Sequence, residues 1–234
     1  MTVYIENHKA RDPSLIVSRV RDEGQEAVVM TDHSDHYLTR GDGRGCFENY
    51  MRILRAAAAH PGPWTIVLQD DVSVPAGLFA RMAAILAHAP GGVVAFYVPQ
   101  NTLYTRARDG GVHVVESYWN FWIQAMAWTP ATAATFAAWG DRHVMPGYGG
   151  DDWFLTRACS RLAIPVRVVL PSLVQHVGYQ HSLLGTSGKV GRYARVSACY
   201  DPTFDPATVD WAAAFAAPLR DRSRRMDPEG LWHL

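Results

Sequence analysis

The chain has 234 residues, 48% hydrophobic and 19% charged, which supports a sizeable core and excludes global disorder. Its 22 basic and 22 acidic residues balance to a formal net charge of +0, which excludes whole-molecule attraction to nucleic acid or membrane and leaves only a local basic patch for either. The three cysteines, Cys46, Cys159 and Cys199, are odd in number and far apart, so they suggest neither a disulfide framework nor a zinc pattern.

No apolar run approaches a membrane span and the opening MTVYIENHKARD lacks the pattern of a signal peptide, so a cytoplasmic location is expected. Thr2 to Asn7 reads as a first strand. Asp12-Pro13-Ser14 then reads as a helix start, with Asp12 as cap and Pro13 at the first helical position, and Gly24 as the stop. Ala27 to Asp32 is a second buried strand, and the β-α-β pattern favours a parallel sheet with a right-handed crossover. The glycines of Gly41-Asp42-Gly43-Arg44-Gly45 precede a helix over Cys46 to Ala59. A helix start of this kind can receive phosphate, with Arg44 adding a charge-assisted contact, although the spacing matches neither the dinucleotide fingerprint nor the P-loop and a surface loop has the same composition.

The segment WTIVLQDDVSVP, Trp64 to Pro75, runs an apolar strand into two adjacent carboxylates, Asp70 and Asp71. Carboxylates at the carboxyl end of a buried strand sit where open α/β sheets bind ligands, and a divalent cation would relieve their repulsion. A strand end followed by a capping aspartate accounts for the same residues equally well. Beyond it, Pro75 to His88 reads as a helix and Gly92 to Pro99 as a strand. Val112 to Ser117 reads as a strand with a hairpin partner around Thr102 to Thr105, and Pro130 to Trp139 as a helix. The aromatic run Tyr118 to Trp128 spans strand and groove wall. In PGYGGDDWFLTRA, a glycine loop delivers Asp151 and Asp152 to a helix start, where they cap the helix or present a catalytic carboxylate.

Ile164 to Leu170 is a further strand, and in PSLVQHVG the imidazole of His176 closes the sheet late in the chain, either as a structural hydrogen-bonding group or as the nitrogen ligand of an oxygen-rich metal site. From Tyr179 to Arg225 seven basic residues face four acidic ones. This stretch, which includes Lys189, is a solvated tail or a lid that meets phosphate.

These residues together resemble a glycosyltransferase of the GT-A fold. WTIVLQDDV is similar to the acidic strand end of bacterial LPS and collagen-type glycosyltransferases, and PSLVQHVGYQHSLLG to a segment of the N-acetylglucosaminyltransferase IV family. The resemblance spans residues 2 to 188 as an order of elements and these two segments as sequence. It implies one α/β, Rossmann-like GT-A domain with a mostly parallel central sheet flanked by helices over residues 1–188, and a C-terminal extension over 189–234 that forms a lid or acceptor-side tail. Gln69 departs from the family's acidic-x-Asp pattern and alters the contact expected there.

The resemblance further implies a nucleotide-sugar donor, a UDP-sugar first, with Mn²⁺ or Mg²⁺ between its phosphates. Asp71 would be the main metal ligand and His176 the second. Asp70 would hold ribose or sugar hydroxyls, while Asn7 and Asp32 would hold the nucleotide, and Arg44 and Lys189 its phosphates. Asp151 or Asp152, with Asp152 preferred, would be the general base of an inverting transfer to a hydroxyl. Trp119, Trp122, Trp153 and Tyr148 could stack on a sugar or a nucleobase. The acceptor stays open between a glycan and a hydroxymethylated base in phage DNA. A metal-dependent nucleotidyltransferase and a non-catalytic nucleotide- or glycan-binding domain remain the competing readings.

Overall fold

The computed structural model describes residues 1–35, 44–98, 113–118, 123–143, 150–177 and 200–220. Eight strands form one mixed sheet: β1 (Thr2–His8), β2 (Glu26–Asp32), β3 (Thr65–Gln69), β4 (Val93–Ala95), β5 (His113–Ser117), β6 (Ala125–Trp128), β7 (Val166–Leu170) and β8 (Leu219–Arg220). Their order is β2-β1-β3-β6-β4-β7-β5-β8. Four of the seven pairings are parallel, and β6 and β5 run antiparallel to their neighbours β3, β4 and β7. The expected α/β, Rossmann-like architecture is therefore present, with β-α-β at its start as the alternation of apolar strand and capped helix dictates.

The helices are α1 (Ser14–Asp22), α2 (Arg44–Ala58), α3 (Leu78–Leu86), α4 (Pro130–Arg142), α5 (Asp151–Leu162) and α6 (Trp211–Ala216). They split between the two sheet faces. Ile16 and Val20 of α1, Phe79, Met82 and Ile85 of α3, and Trp211 and Phe215 of α6 pack with Val3, Ile5, Ile66 and Leu68. Tyr50, Ile53 and Leu54 of α2, Phe136 and Trp139 of α4, and Phe154 and Leu155 of α5 pack with Tyr4, Val67, Met126 and Trp128 on the other face. Each fully buried apolar side chain of this size contributes about 1.5–3 kcal/mol, which makes the two layers the main source of stability. No helix among the described residues is long and apolar enough to cross a membrane.

Strand periodicity decides which way the polar residues point. Side chains two apart share a face, so Glu6 follows Tyr4, and Gln69 follows Val67, toward the α2–α4–α5 layer. The register pairs Glu6 directly with Gln69. Both strands end on the same edge, where Glu6 and Gln69 meet Asp151 at the start of α5.

Two local outcomes differ from expectation. The run over residues 93–98 is buried throughout, but only its first three residues form β4. Phe96 N still donates to Ala125 O of β6 at 2.9 Å, but Phe96 O and Val98 N turn to residues 172–173, through Leu173 N to Phe96 O at 2.9 Å and Val98 N to the Ser172 hydroxyl at 3.2 Å. Among the described residues, 171–177 accordingly add no strand to the sheet. Pro171 cannot donate to a ladder, and the segment runs past the sheet edge to make one isolated antiparallel bridge between Val72 and His176. The expected partner of β5 at residues 102–105 lies outside the described residues; β5 pairs with β7 and β8.

Candidate functional site

The carboxyl ends of β1, β2 and β3 lie side by side, as their parallel pairing requires. The turn after β1 is fixed by short backbone contacts. Arg11 N donates to His8 O at 2.8 Å, Lys9 N to Asp32 O at 3.0 Å and Ala10 N to His8 Nδ1 at 3.0 Å. Because Nδ1 accepts, the His8 ring proton sits on Nε2, which donates to Ser34 O at 3.2 Å. The His8 backbone N–H then donates to Asp70 Oδ2 at 3.0 Å, binding this turn to the end of β3.

Into this turn the sequence sends Arg11, which sequence reasoning missed. Its Nη1 donates to Asp70 Oδ1 and, at 2.8 Å, to Asp71 Oδ2, so one guanidinium bridges both carboxylates. The sign of a missed residue was present in HKARDPS: a basic side chain between a strand end and a helix cap.

Asp71 Oδ2 also lies 3.0 Å from His176 Nε2. The two positions expected to share a metal are thus brought together, although far apart in sequence. Backbone contacts hold them: Val177 N to Asp71 O at 2.7 Å, Ser73 N to Gln175 O at 2.8 Å, and Gln175 N to the Ser73 hydroxyl at 3.0 Å. Burial pushes the Asp71 carboxyl up, but His176 and Arg11 outweigh it and hold the group below the usual carboxylate range. Asp70 goes the other way. Burial raises it and the neighbouring Asp71 charge adds to the rise, which Arg11 only partly offsets. Since an ionised Asp71 can only accept, the facing His176 Nε2 carries a proton, and a metal ion there would replace it.

One carboxylate and one imidazole suit a hard divalent ion that keeps its other positions for water and phosphate oxygens. Asp71 Oδ1 is buried without a hydrogen-bond partner among the described residues, which leaves it an open acceptor. Among those residues no group of three or more His, Cys, Asp and Glu side chains could hold a metal by itself. The fit is therefore to a metal shared with a ligand, not to an all-protein cage.

A second acidic group lies one residue back along β3. Glu6, 7% exposed, and Asp151, 6% exposed, are hydrogen-bonded to each other, and Gln69 Nε2 lies 3.4 Å from Glu6 Oε2 and 3.4 Å from Asp151 Oδ2. Two carboxyls can share a hydrogen bond only if one keeps its proton. Burial, then the charge of Asp152, pushes Asp151 up to about 7, and burial with Asp151 beside it drives Glu6 well above its usual range. Glu6 was also missed; its signal was a charged residue inside a strand buried at every position.

The remaining expected residues fall as follows. Asn7 and Asp32 are 5% and 6% exposed, and Asn7 Oδ1 and Asp32 Oδ2 have no partner among the described residues. Gly45 brings α2 against Asp32: a Cβ there would overlap both the Asp32 carboxylate and the Ser34 hydroxyl. Arg44 is exposed at the start of α2 and pairs with Glu48 one turn on, at 2.8 Å. Asp152 is half-buried, its Oδ1 accepting from Trp153 N at 2.7 Å. Cys46 is half-buried and Cys159 buried, both as free thiols. Lys189, Cys199, Trp119, Trp122 and Tyr148 lie outside the described residues.

No protein-family model and no curated protein matches the sequence. Among solved structures the chain is similar to A197 from STIV, at 14% identity and a TM-score of 0.43, covering 75% of this chain and 85% of that one. It is also similar to mouse xyloside xylosyltransferase 1 in its apo form, at 10% identity and a TM-score of 0.37, covering 72% and 85%. A third likeness is to the inositol-1-phosphate CTP transferase from T. maritima, at 8% identity and a TM-score of 0.37, covering 93% and 78%. With overlaps this loose, the chemistry of this chain has to be read from its own residues.

Proposed function

We propose that the protein is a metal-dependent glycosyltransferase that moves a sugar from a nucleotide-sugar donor to a hydroxyl acceptor. The observation that carries this reading is the meeting of Asp71 and His176, 3.0 Å apart at the carboxyl edge of the parallel strands. Asp71 and His176 would hold Mn²⁺ or Mg²⁺, which when bound supplies the positive charge that a departing nucleoside diphosphate needs. The buried oxygens of Asn7 and Asp32, at the carboxyl ends of β1 and β2, have no partner among the described residues and would accept hydrogen bonds from the nucleoside. Asp70, fixed by the His8 amide, presents its carboxylate to ribose or sugar hydroxyls.

Of the two candidate bases, Asp152 is assigned the role. Asp151 is turned inward to Glu6 and Gln69 and holds the start of α5 to the sheet, whereas Asp152 is half-buried at the first turn. Asp152 would take the proton from the acceptor hydroxyl, a contribution of about 10²–10⁴-fold for a positioned base. An inverting transfer to a glycan or to a hydroxymethylated base fits this arrangement, with a UDP-sugar as the first donor to try. Arg44, at the start of α2, and Lys189, outside the described residues, would be the phosphate contacts.

The test is donor cleavage. The protein is incubated with a panel of nucleotide sugars, with and without Mn²⁺, and released nucleoside diphosphate and pyrophosphate are measured. Diphosphate release from one donor, lost with EDTA and in Asp71→Ala, is the expected result. Pyrophosphate release from a nucleoside triphosphate would replace this reading with nucleotidyl transfer. Failure of every donor to react, bind or raise the Tm would leave a domain of another kind.

A further inference from the structure

The acidic pair already has a cation. Arg11 Nη1 bridges Asp70 and Asp71, and Asp71 Oδ2 receives both this donor and His176 Nε2. The three side chains are largely withdrawn from water, at 21% exposure for Arg11, 6% for Asp70 and 13% for Asp71. The guanidinium cannot give up its charge at any ordinary pH. It is anchored at its base by the turn after β1, where the Arg11 amide donates to His8 O at 2.8 Å.

We propose that Arg11 is an internal competitor for the divalent cation, so that Asp71 takes a metal ion firmly only when a diphosphate arrives with it. This rests on the proposed metal-dependent transfer and adds to it the order in which the parts come together. Two carboxylates and one guanidinium sum to a single negative charge. A divalent ion added beside Arg11 overshoots neutrality and faces a like charge at close range, where repulsion is weakly screened. A diphosphate supplies the missing negative charge and gives the displaced guanidinium a matching pair of oxygens. Without it, Arg11 keeps the pair closed. The resulting protein holds little metal when idle and does not strand a cation on Asp71 after the product has left.

The experiment is Mn²⁺ binding to the protein alone, followed through the spectrum of free Mn²⁺ and through the Mn²⁺-induced rise in Tm. It compares the wild type with Arg11→Gln, Arg11→Lys and the double variant Arg11→Gln, Asp71→Ala. Arg11→Gln removes the charge and is expected to bind Mn²⁺ at least about tenfold more tightly than wild type, with a lower Tm in EDTA and a larger rise on adding Mn²⁺. Arg11→Lys keeps the charge but replaces the planar guanidinium whose Nη1 meets both carboxylates with a more flexible, more strongly hydrated ammonium, and falls between the two. The double variant loses the gain.

Equal or weaker Mn²⁺ binding in a folded Arg11→Gln, with measurable binding in wild type, overturns the proposal and leaves the metal reading standing. Absence of Mn²⁺ binding in every protein, Arg11→Gln included, overturns both. If Arg11→Gln folds only with Mn²⁺ present, that dependence is itself the expected result, and Arg11→Lys then carries the comparison of affinities.

Discussion

Two acidic pairs lie on one edge of the sheet and solve the same problem in different ways. Asp70 and Asp71 are neighbours in sequence, and their charges are met by Arg11 and His176. Glu6 and Asp151 come from opposite halves of the chain, meet across Gln69, and form no ion pair with a cation among the described residues. The first pair is held together by positive charge and keeps Asp71 ionised; the second is held by a retained proton. An ionised carboxylate at the edge can be offered to a metal, whereas a buried carboxyl that shares a proton with its neighbour is a poorer metal ligand and fastens structure. The comparison thus separates a group fit for binding from a group fit for holding α5 in place, although both are pairs of acids.

The largest effect is expected from breaking the cation-held pair. Loss of a residue that merely orients a metal ligand costs about 10–100-fold, so Asp71→Ala, which removes a ligand outright, should lower metal-dependent turnover by more than about 100-fold. Turnover in Mn²⁺ checks this, and activity surviving in Asp71→Ala would remove Asp71 from the site. The proton-held pair is tested by pH. A carboxyl raised in the folded state, as Asp151 is from 3.8 to about 7, contributes stability that is complete below the lower value and lost as pH rises through the upper one. Glu6→Gln supplies a permanent donor to Asp151 in place of the proton. Between pH 4 and pH 7 the wild type should lose stability relative to this variant by up to about 1.4 kcal/mol per unit. Parallel Tm curves for the two proteins across that range would show that no proton is held there.

A third acid, Asp32, belongs to neither pair. It accepts from Ser34 N at 2.8 Å, and its other oxygen depends on the close approach of α2 at Gly45. Gly45→Ala should cost about 1–3 kcal/mol by overpacking and weaken nucleotide binding, measured by denaturation and by ligand-induced shift in Tm. Unchanged stability would mean that α2 can retreat from β2 freely. The smallest effect serves as the control. Arg55 and Asp141 form an ion pair between α2 and α4 with both side chains about half exposed. Such pairs are worth about 0–1 kcal/mol, so Arg55→Ala should barely alter a urea midpoint. A loss comparable to that of Gly45→Ala would show that surface charge contributes more here than its solvent screening allows.

Much of the sheet was legible because its strands are short apolar runs bounded by turn residues, and the alternation of Tyr4 and Val67 against Val3, Ile5, Ile66 and Leu68 follows from backbone geometry alone. The carboxylates at the strand ends were legible for the same reason. The inward turn of Asp151 was also written in the helix, since Asp151 shares the i, i+3, i+4, i+7 face with the buried Phe154, Leu155 and Ala158. Other features were not readable from local pattern. PSLVQHVG has the composition of a strand, but its backbone partners are chosen by Val72 and Phe96 in distant parts of the chain. Arg11 has no periodic neighbours to announce it, and its direction depends on a four-residue turn. Glu6 is conspicuous in its strand, yet its partner, Asp151, is supplied by a helix that the sequence places far away.

The bridge between Val72 and His176 also has a consequence in time. Asp71 leaves the ribosome 105 residues before His176, an interval of roughly 5–20 s at ordinary rates of synthesis. Arg11, by contrast, precedes the aspartates and sits in the first β-α-β unit, so the emerging chain can neutralise its acidic pair as soon as β3 adds to β1. The nascent sheet edge is therefore spared a long period with two unopposed charges, and the imidazole arrives at a pair that Arg11 can already neutralise.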